Sequence, residues 1–162
     1  MNSVIIFCAE YLYLVVILLT LLAWIREPKE NRLKFLLSVV AAGAVAFILS
    51  RIAGKLYYDP RPFVTEHVKP LISHAADNGF PSDHALLTGT LTAIVYFFNK
   101  KMFVAMSILT VIIGVARVLA KVHSPLDIAG GWIFGIIGAL TSYYVIRWYF
   151  TNKKSQLGKS KP

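Results

Sequence analysis

Long apolar runs separated by short polar ones dominate this chain. They begin at about Val4 to Ile25, then Phe35 to Tyr57, Ala85 to Phe98, Met102 to Leu119 and Pro125 to Phe150. A helix crossing a hydrocarbon core needs about 20 predominantly apolar residues. The pattern therefore predicts an all-α, polytopic membrane helix bundle with about five transmembrane helices. The first run has no basic residues ahead of it and no small-residue cleavage signal, so it reads as a retained helix rather than a signal peptide. Glu10 interrupts it. An ionisable group at membrane depth is costly and faces protein or water, so Glu10 is expected to be neutral and hydrogen-bonded more readily than catalytic. Ala41, Ala42, Gly43 and Ala46 in the second run, and Gly131-x-x-x-Gly135 in the fifth, predict close helix packing.

The polar stretches are unequal. Arg26 to Lys34 is a short charged loop with Pro28 inside it. Tyr58 to Pro81 is the one sizeable polar region, carrying Asp59, Pro60, Arg61, Pro62, Glu66, His67, Lys69, Pro70 and His74 before an Asp77-Asn78-Gly79 turn signal. Its length without periodicity predicts a functional loop, and a helix inside it would raise the spanning count to six. At its end stands Phe80-Pro81-Ser82-Asp83-His84. Ser82 is a natural N-cap, and the free N–H groups and dipole of a helix start make a seat for phosphate. His84 falls in the first turn beside that seat. Ser124-Pro125 signals another helix start, and Asp127 has the capping-box spacing from Ser124. The same carboxylate can also accept a hydrogen bond from His123 and fix its tautomer.

Composition supports the membrane reading. Apolar residues make up 57% of the 162 residues and charged ones 15%, too little polar surface for a water-soluble domain of this size. The net charge of +9 does not indicate nucleic-acid binding, because the basic residues lie in short runs between and after apolar stretches. Residues 1–150 are expected to form one membrane domain, followed by a basic, disordered tail at 151–162. The single Cys8 excludes an internal disulfide and suggests no cysteine metal site. Arg26, Lys29, Arg32, Lys34, Lys100, Lys101, Lys153, Lys154, Lys159 and Lys161 fall on one membrane face, which the positive-inside rule makes cytoplasmic. Arg51, Lys55, Arg61, Lys69, Arg117 and Lys121 fall on the other, where a phosphate site would explain them. That face, and the N-terminus with it, is expected to look outward from the cell membrane.

On this outward face helix ends gather Lys55, Arg61, Ser82, His84, Arg117, His123 and Asp127. Cations, two histidines and a carboxylate, without a metal-ligand pattern, suit phosphoryl transfer without a metal or other cofactor. Each residue also has a plainer role open to it. Lys55, Arg61 and Arg117 can be cations snorkelling at a membrane boundary, Asp127 a cap, and His123 a surface loop residue. His67 and His74 lack a partner spacing and read as loop residues.

Taken together, Lys55…Arg61-Pro62, Pro81-Ser82-Asp83-His84 and Arg117-x5-His123-x3-Asp127 resemble the three motifs of the type 2 phosphatidic acid phosphatase superfamily. Those motifs are Lys-x6-Arg-Pro, Pro-Ser-Gly-His and Ser-Arg-x5-His-x3-Asp, and the resemblance covers about residues 50 to 135. Lys55 stands one residue closer to Arg61 than that spacing, Asp83 replaces the glycine, and Ala116 replaces the serine. Pro-Ser-Asp-His, the small size and Tyr-Asp-Pro-Arg-Pro-Phe are similar to bacterial undecaprenyl pyrophosphate phosphatases of the bacitracin-resistance type. The resemblance implies His123 as nucleophile, Asp127 as its orienting partner and His84 as general acid and base. It implies Lys55, Arg61, Ser82, Asp83 and Arg117 at the phosphate, with Asp83 either paired to Arg61 or Lys55 or turned away while its N–H serves. It further implies a polyprenyl diphosphate substrate with its tail in a groove between helices. A phosphatidylglycerophosphate- or phosphatidate-type lipid, and a non-hydrolytic lipid carrier, are the alternatives.

Overall fold

The computed structural model describes residues 2–159, with side chains through residue 153, and every named element is a helix. The first apolar run is divided into α1 (Asn2–Glu10) and α2 (Leu12–Arg26), which meet at Tyr11 with a bend of 42°. The continuous helix expected there is broken just after Glu10. The break frees the carbonyl of Ala9, and Arg117 Nη1 donates to it at 3.2 Å. No hydrogen bond reaches the Glu10 carboxylate among the described residues, contrary to the expectation for it. Glu10 instead lines a cavity shared with His74, His84 and Arg117.

The second run forms α3 (Lys29–Leu56), and α4 (Pro62–Thr65) is a single turn within the polar region. Four residues cannot cross a bilayer, so that region adds no sixth span. The remaining elements are α5 (Asp83–Tyr96), α6 (Lys100–Leu119) and α7 (Pro125–Lys159). α7 continues beyond Phe150, where an irregular tail was expected, and residues 160–162 of that tail lie outside the described residues. α3, α6 and α7 are each long and apolar enough to span, and the α1–α2 pair makes a fourth crossing if taken as one. The exposed surface is that of a membrane protein: Leu18, Val40, Ile108 and Trp148 are each more than half exposed.

α5 is different. At 14 residues it is about 21 Å long, short of a full hydrocarbon thickness. Nine of those residues are buried, and α2, α3, α6 and α7 all pack on it. The hydroxyls of Thr88 and Thr90 donate to carbonyls one turn back on α5, and those of Thr92 and Thr110 meet at 2.9 Å across α5 and α6. The expected close approach at Gly131 and Gly135 is present. A Cβ at Gly135 would lie 2.6 Å from the Thr90 nitrogen, and one at Gly131 would lie 2.8 Å from the Ser82 carbonyl oxygen. Glycine at these two positions lets α7 press against α5 and brings the starts of both helices together. The main core, including Val16, Phe35, Ile94, Met106 and Ile113, lies among the helices. A second cluster of Ala9, Ile72, Ala116, Ala120 and Val122 fastens the polar loop onto α1 and α6.

Candidate active site

The polar region is long, but it is held tightly at its two ends. Asn78 is its clip. Its Nδ2 donates to the carbonyls of Gly54 at 2.8 Å and Tyr57 at 2.9 Å, at the end of α3. Its Oδ1 accepts from the backbone nitrogens of Asp59 at 2.9 Å and Phe80 at 3.0 Å. This closes the loop on itself and delivers Phe80 to His84 to the start of α5. Gly79 fits under the neighbouring helix because a Cβ there would come 2.7 Å from Asp127 Oδ2.

Both expected helix starts are observed. Ser82 caps α5, its hydroxyl accepting from the Ala85 nitrogen at 3.4 Å, and its own N–H donates to the Asp127 carbonyl at 3.1 Å. Ser124 and Asp127 form the reciprocal cap of α7. Ser124 N donates to Asp127 Oδ2 at 2.8 Å, and Asp127 N donates to Ser124 Oγ at 3.2 Å. Asp59, distant in sequence, accepts from Ser124 Oγ at 2.7 Å.

The same Asp127 Oδ2 lies 3.1 Å from His123 Nδ1, so capping and orienting are done by one oxygen. His123 Nε2 points the other way, 3.3 Å from Arg61 Nη1 and 3.2 Å from Arg117 Nη2. A guanidinium can only donate, so Nε2 is the accepting nitrogen and Nδ1 carries the proton toward Asp127. Arg61, Arg117, His123 and Asp127 are all buried, which gives these charges a fixed geometry. Arg61 is further held by Asp77 Oδ1 at 2.8 Å and by the Val122 carbonyl at 2.9 Å. That hydrogen bond to Arg61 also holds the Asp77 carboxyl below the usual aspartate range. Burial lowers the pKa of His123, and Arg117 and Arg61 lower it further, against the raising influence of the Asp127 hydrogen bond. The imidazole is thereby kept neutral, with a free lone pair on Nε2.

A cavity of about 460 Å³ opens above this nitrogen, lined in part by Lys55, Arg61, Asp83, His84, Arg117 and His123. Ser82 is not among its lining residues: it is fully buried, and its hydroxyl is engaged in the helix cap. His84 stands in the wall with its ring edge-to-face on Tyr13, centroids 4.9 Å apart. Asp83 pairs with neither Arg61 nor Lys55. Its partner is Arg51, one turn before Lys55 on α3. Lys55 lies exposed at the cavity rim.

His74, which carries no spacing signal, also belongs here. Its Nε2 is 3.3 Å from Arg117 Nη2, and its ring meets that of His123 edge-on at 5.9 Å. Burial, followed by the charges of Arg61 and Arg117, lowers its pKa to about 4, so it is a neutral acceptor for Arg117. Asp77, Asn78 and Arg51 likewise carry no site signal in the sequence. Asp77-Asn78-Gly79 gives only a turn signal, and nothing local marks the partners those side chains reach.

A neutral imidazole backed by a carboxylate and faced by two guanidiniums is arranged for attack on an anionic phosphorus centre. The PAP2 superfamily model matches residues 31–152 of this chain. Bacitracin transport permease protein BcrC of Bacillus licheniformis is 35% identical over 145 residues, covering 89% of this chain and 71% of that protein. Undecaprenyl-diphosphatase BcrC of Bacillus subtilis is 30% identical over 137 residues, covering 85% and 70%. In fold, the chain is similar to the crystal structure of Aquifex aeolicus LpxE. The TM-score is 0.71 at 24% identity, covering 88% of this chain and 86% of that one.

Proposed function

This chain belongs to the PAP2 superfamily and is a multi-pass membrane lipid phosphatase, and we propose that it hydrolyses undecaprenyl diphosphate to undecaprenyl phosphate. The lone pair of His123 Nε2 attacks the terminal phosphorus while Asp127 holds the Nδ1 proton and stabilises the charge developing on the ring. The bond from that phosphorus to the bridging oxygen breaks, and its electron pair leaves on the lipid monophosphate. His84, whose pKa burial and then Arg117 lower to about 4 in the free site, takes up a proton once the anionic diphosphate is bound and gives it to that oxygen. A phosphohistidine remains. His84 then takes a proton from water, whose oxygen attacks phosphorus. The P–N bond electrons return to Nε2 and phosphate is released.

Arg61 and Arg117 neutralise the equatorial oxygens, assisted by the α5 amides that the Ser82 cap holds in place, and Lys55 meets the diphosphate from the cavity rim. The charge neutralisation that a metal would otherwise supply comes from these groups, so the reaction is metal-independent. The site faces outward and the basic far end is cytoplasmic, by the positive-inside rule. Hydrolysis there recycles the carrier lipid for cell-wall synthesis and confers bacitracin resistance; the name of the Bacillus licheniformis relative connects that protein with bacitracin, as a transport permease.

The observation that carries this reading is His123, with Asp127 behind Nδ1 and two arginines before Nε2. Phosphate release from undecaprenyl diphosphate is expected to persist in detergent with EDTA and to vanish in His123→Ala. Retained activity in that variant overturns the nucleophile. Running phosphatidylglycerophosphate and phosphatidate beside the diphosphate decides the lipid.

A second reading has one specific support, the word permease in that relative's name. A carrier that only binds the diphosphate head needs cations but neither a nucleophile nor its orienting carboxylate. An acid-labile phosphoryl label trapped on the wild type, absent from His123→Ala, rejects transport alone.

A further inference from the structure

Two pairs of cations face the head-group cavity at different depths. The inner pair, Arg61 and Arg117, is 5% and 3% exposed and meets His123 Nε2. The outer pair, Arg51 and Lys55, is exposed and stands one turn apart on α3, lining the same cavity. A single phosphate is served by the inner pair. Two cation pairs at successive depths match two linked phosphates.

An apolar groove indicates which phosphate lies where. It has a volume of about 520 Å³, lies between α3 and α5, and is lined by Val39, Ala46, Phe47, Leu86 and Leu91. Arg51 and Asp83 line both this groove and the head-group cavity, so the two spaces share a threshold at the outer cations. Gly43 also lines the groove, and no atom lies within 4 Å of where its Cβ would be, so the space is open there. An apolar chain in this groove brings the phosphate it carries to Arg51 first.

We propose that Arg51 and Lys55 form a second seat, which holds the lipid-proximal phosphate of a polyprenyl diphosphate while the terminal phosphate occupies the inner seat and the chain follows the α3–α5 groove. This rests on the hydrolase reading above and adds what selects a diphosphate over a monophosphate. Arg51 is suited to the task. Its Nη2 is bonded to Asp83 Oδ1 and its guanidinium lies 4.9 Å from the Phe47 ring centroid, which leaves other N–H donors for the cavity. The proximal phosphate is the leaving group, so a cation there also steadies the charge that forms as the bridge breaks. Asp83 finds its place in the same arrangement. A carboxylate beside a phosphate seat is repulsive unless a cation screens it, and Arg51 is that cation.

The test is kcat/KM for a polyprenyl diphosphate and for the monophosphate of the same chain, in detergent. Wild type is compared with Arg51→Ala, Arg51→Lys, Asp83→Asn and the Arg51→Ala/Asp83→Asn double variant. The diphosphate-to-monophosphate ratio is expected to fall about tenfold or more in Arg51→Ala, the scale of a lost charge-assisted hydrogen bond. It recovers in part when Asp83 is also neutralised, and Arg51→Lys is intermediate. In Asp83→Asn the ratio rises, which keeps the test intact if Arg51→Ala does not fold. Equal loss on both lipids in Arg51→Ala makes Arg51 a bilayer anchor only and overturns the seat, as does an unchanged ratio in Asp83→Asn. A wild type that releases phosphate from neither lipid overturns the hydrolase reading and the seat with it, whereas activity on both with an insensitive ratio overturns the seat alone.

Discussion

The two ends of this helix bundle are both rich in cations and use them in opposite ways. At the end bearing His123, Arg61 and Arg117 are turned inward, buried, and aimed at one imidazole nitrogen. At the far end the cations serve the scaffold. Arg32 donates to the carbonyls of Glu27 at 3.0 Å and Ile25 at 2.6 Å, and Lys100 sits 2.9 Å from the Tyr96 ring centroid. The far end is also closed by aromatic contacts, with Phe97 stacked on Tyr143 at 3.9 Å and Phe35 tilted against Phe98 at 4.6 Å. A cation near a helix end is therefore not a functional signal by itself. It becomes one when burial and a convergent acceptor remove the alternative of water.

The largest expected effect separates the two ends directly. Arg61→Ala should reduce single-turnover phosphate release by about a hundred- to a thousandfold, the scale for removing a preorganised donor from a developing anion. Near-normal turnover in this variant would place Arg61 with the scaffold cations of the far end and erase the distinction.

How far the comparison was legible in the sequence depends on the range of each interaction. Ser82 as a cap, Ser124 with Asp127, and the Gly131–Gly135 packing were readable because each is a local rule of helix ends or helix faces. The spacing of Arg117, His123 and Asp127 was readable as well, since a helix end, a short loop and the next helix start preserve it. The hidden parts join residues far apart in the chain. Asp77 reaches Arg61, Asp83 reaches Arg51, and Asn78 reaches the end of α3. No periodicity encodes such pairs. His74 is unmarked for that reason, and so is the break at Tyr11, because an apolar run carries no sign of where a buried arginine will need a carbonyl. For Asp83 the sequence leaves open a pairing with Arg61 or Lys55 or a side chain turned away, and its actual partner, Arg51, depends on the turn of α3 that faces it.

A smaller effect comes from the histidines, all four of which fall between residues 67 and 123, between the end of α3 and the start of α7. The pKa of His74 is lowered from 6.5 to about 4, and that of His123 is also lowered. For a base with a depressed folded pKa, stability is whole above the unfolded value. As pH falls from 6.5 toward about 4, the unfolded chain takes up a proton that the fold refuses, and stability declines. His74→Gln, uncharged throughout, should show a shallower loss of melting temperature across that window in detergent. A slope identical to wild type would mean that His74 is not held neutral against Arg117. Protonation also removes the His123 lone pair, so the lowered pKa extends turnover to more acidic conditions than an ordinary histidine would permit.

The smallest effect belongs to the far end and concerns the scaffold alone. Arg32 supplies donors to carbonyls at the end of α2, which the helix leaves unpaired, while Trp24 Nε1 donates back to the Arg32 carbonyl at 3.1 Å. Arg32→Ala removes two partly exposed hydrogen bonds and leaves the tryptophan contact, which is made to backbone. The cost should be about 1 kcal/mol, or a fall of roughly 2–4 °C in melting temperature. Turnover measured well below that temperature should stay within about twofold of wild type, because a scaffold cation contributes nothing specific to the transition state. A catalytic loss approaching that of Arg61→Ala, with the melting temperature unchanged, would show that the far-end cations are coupled to the site. The division between the ends would then be one of position and not of function.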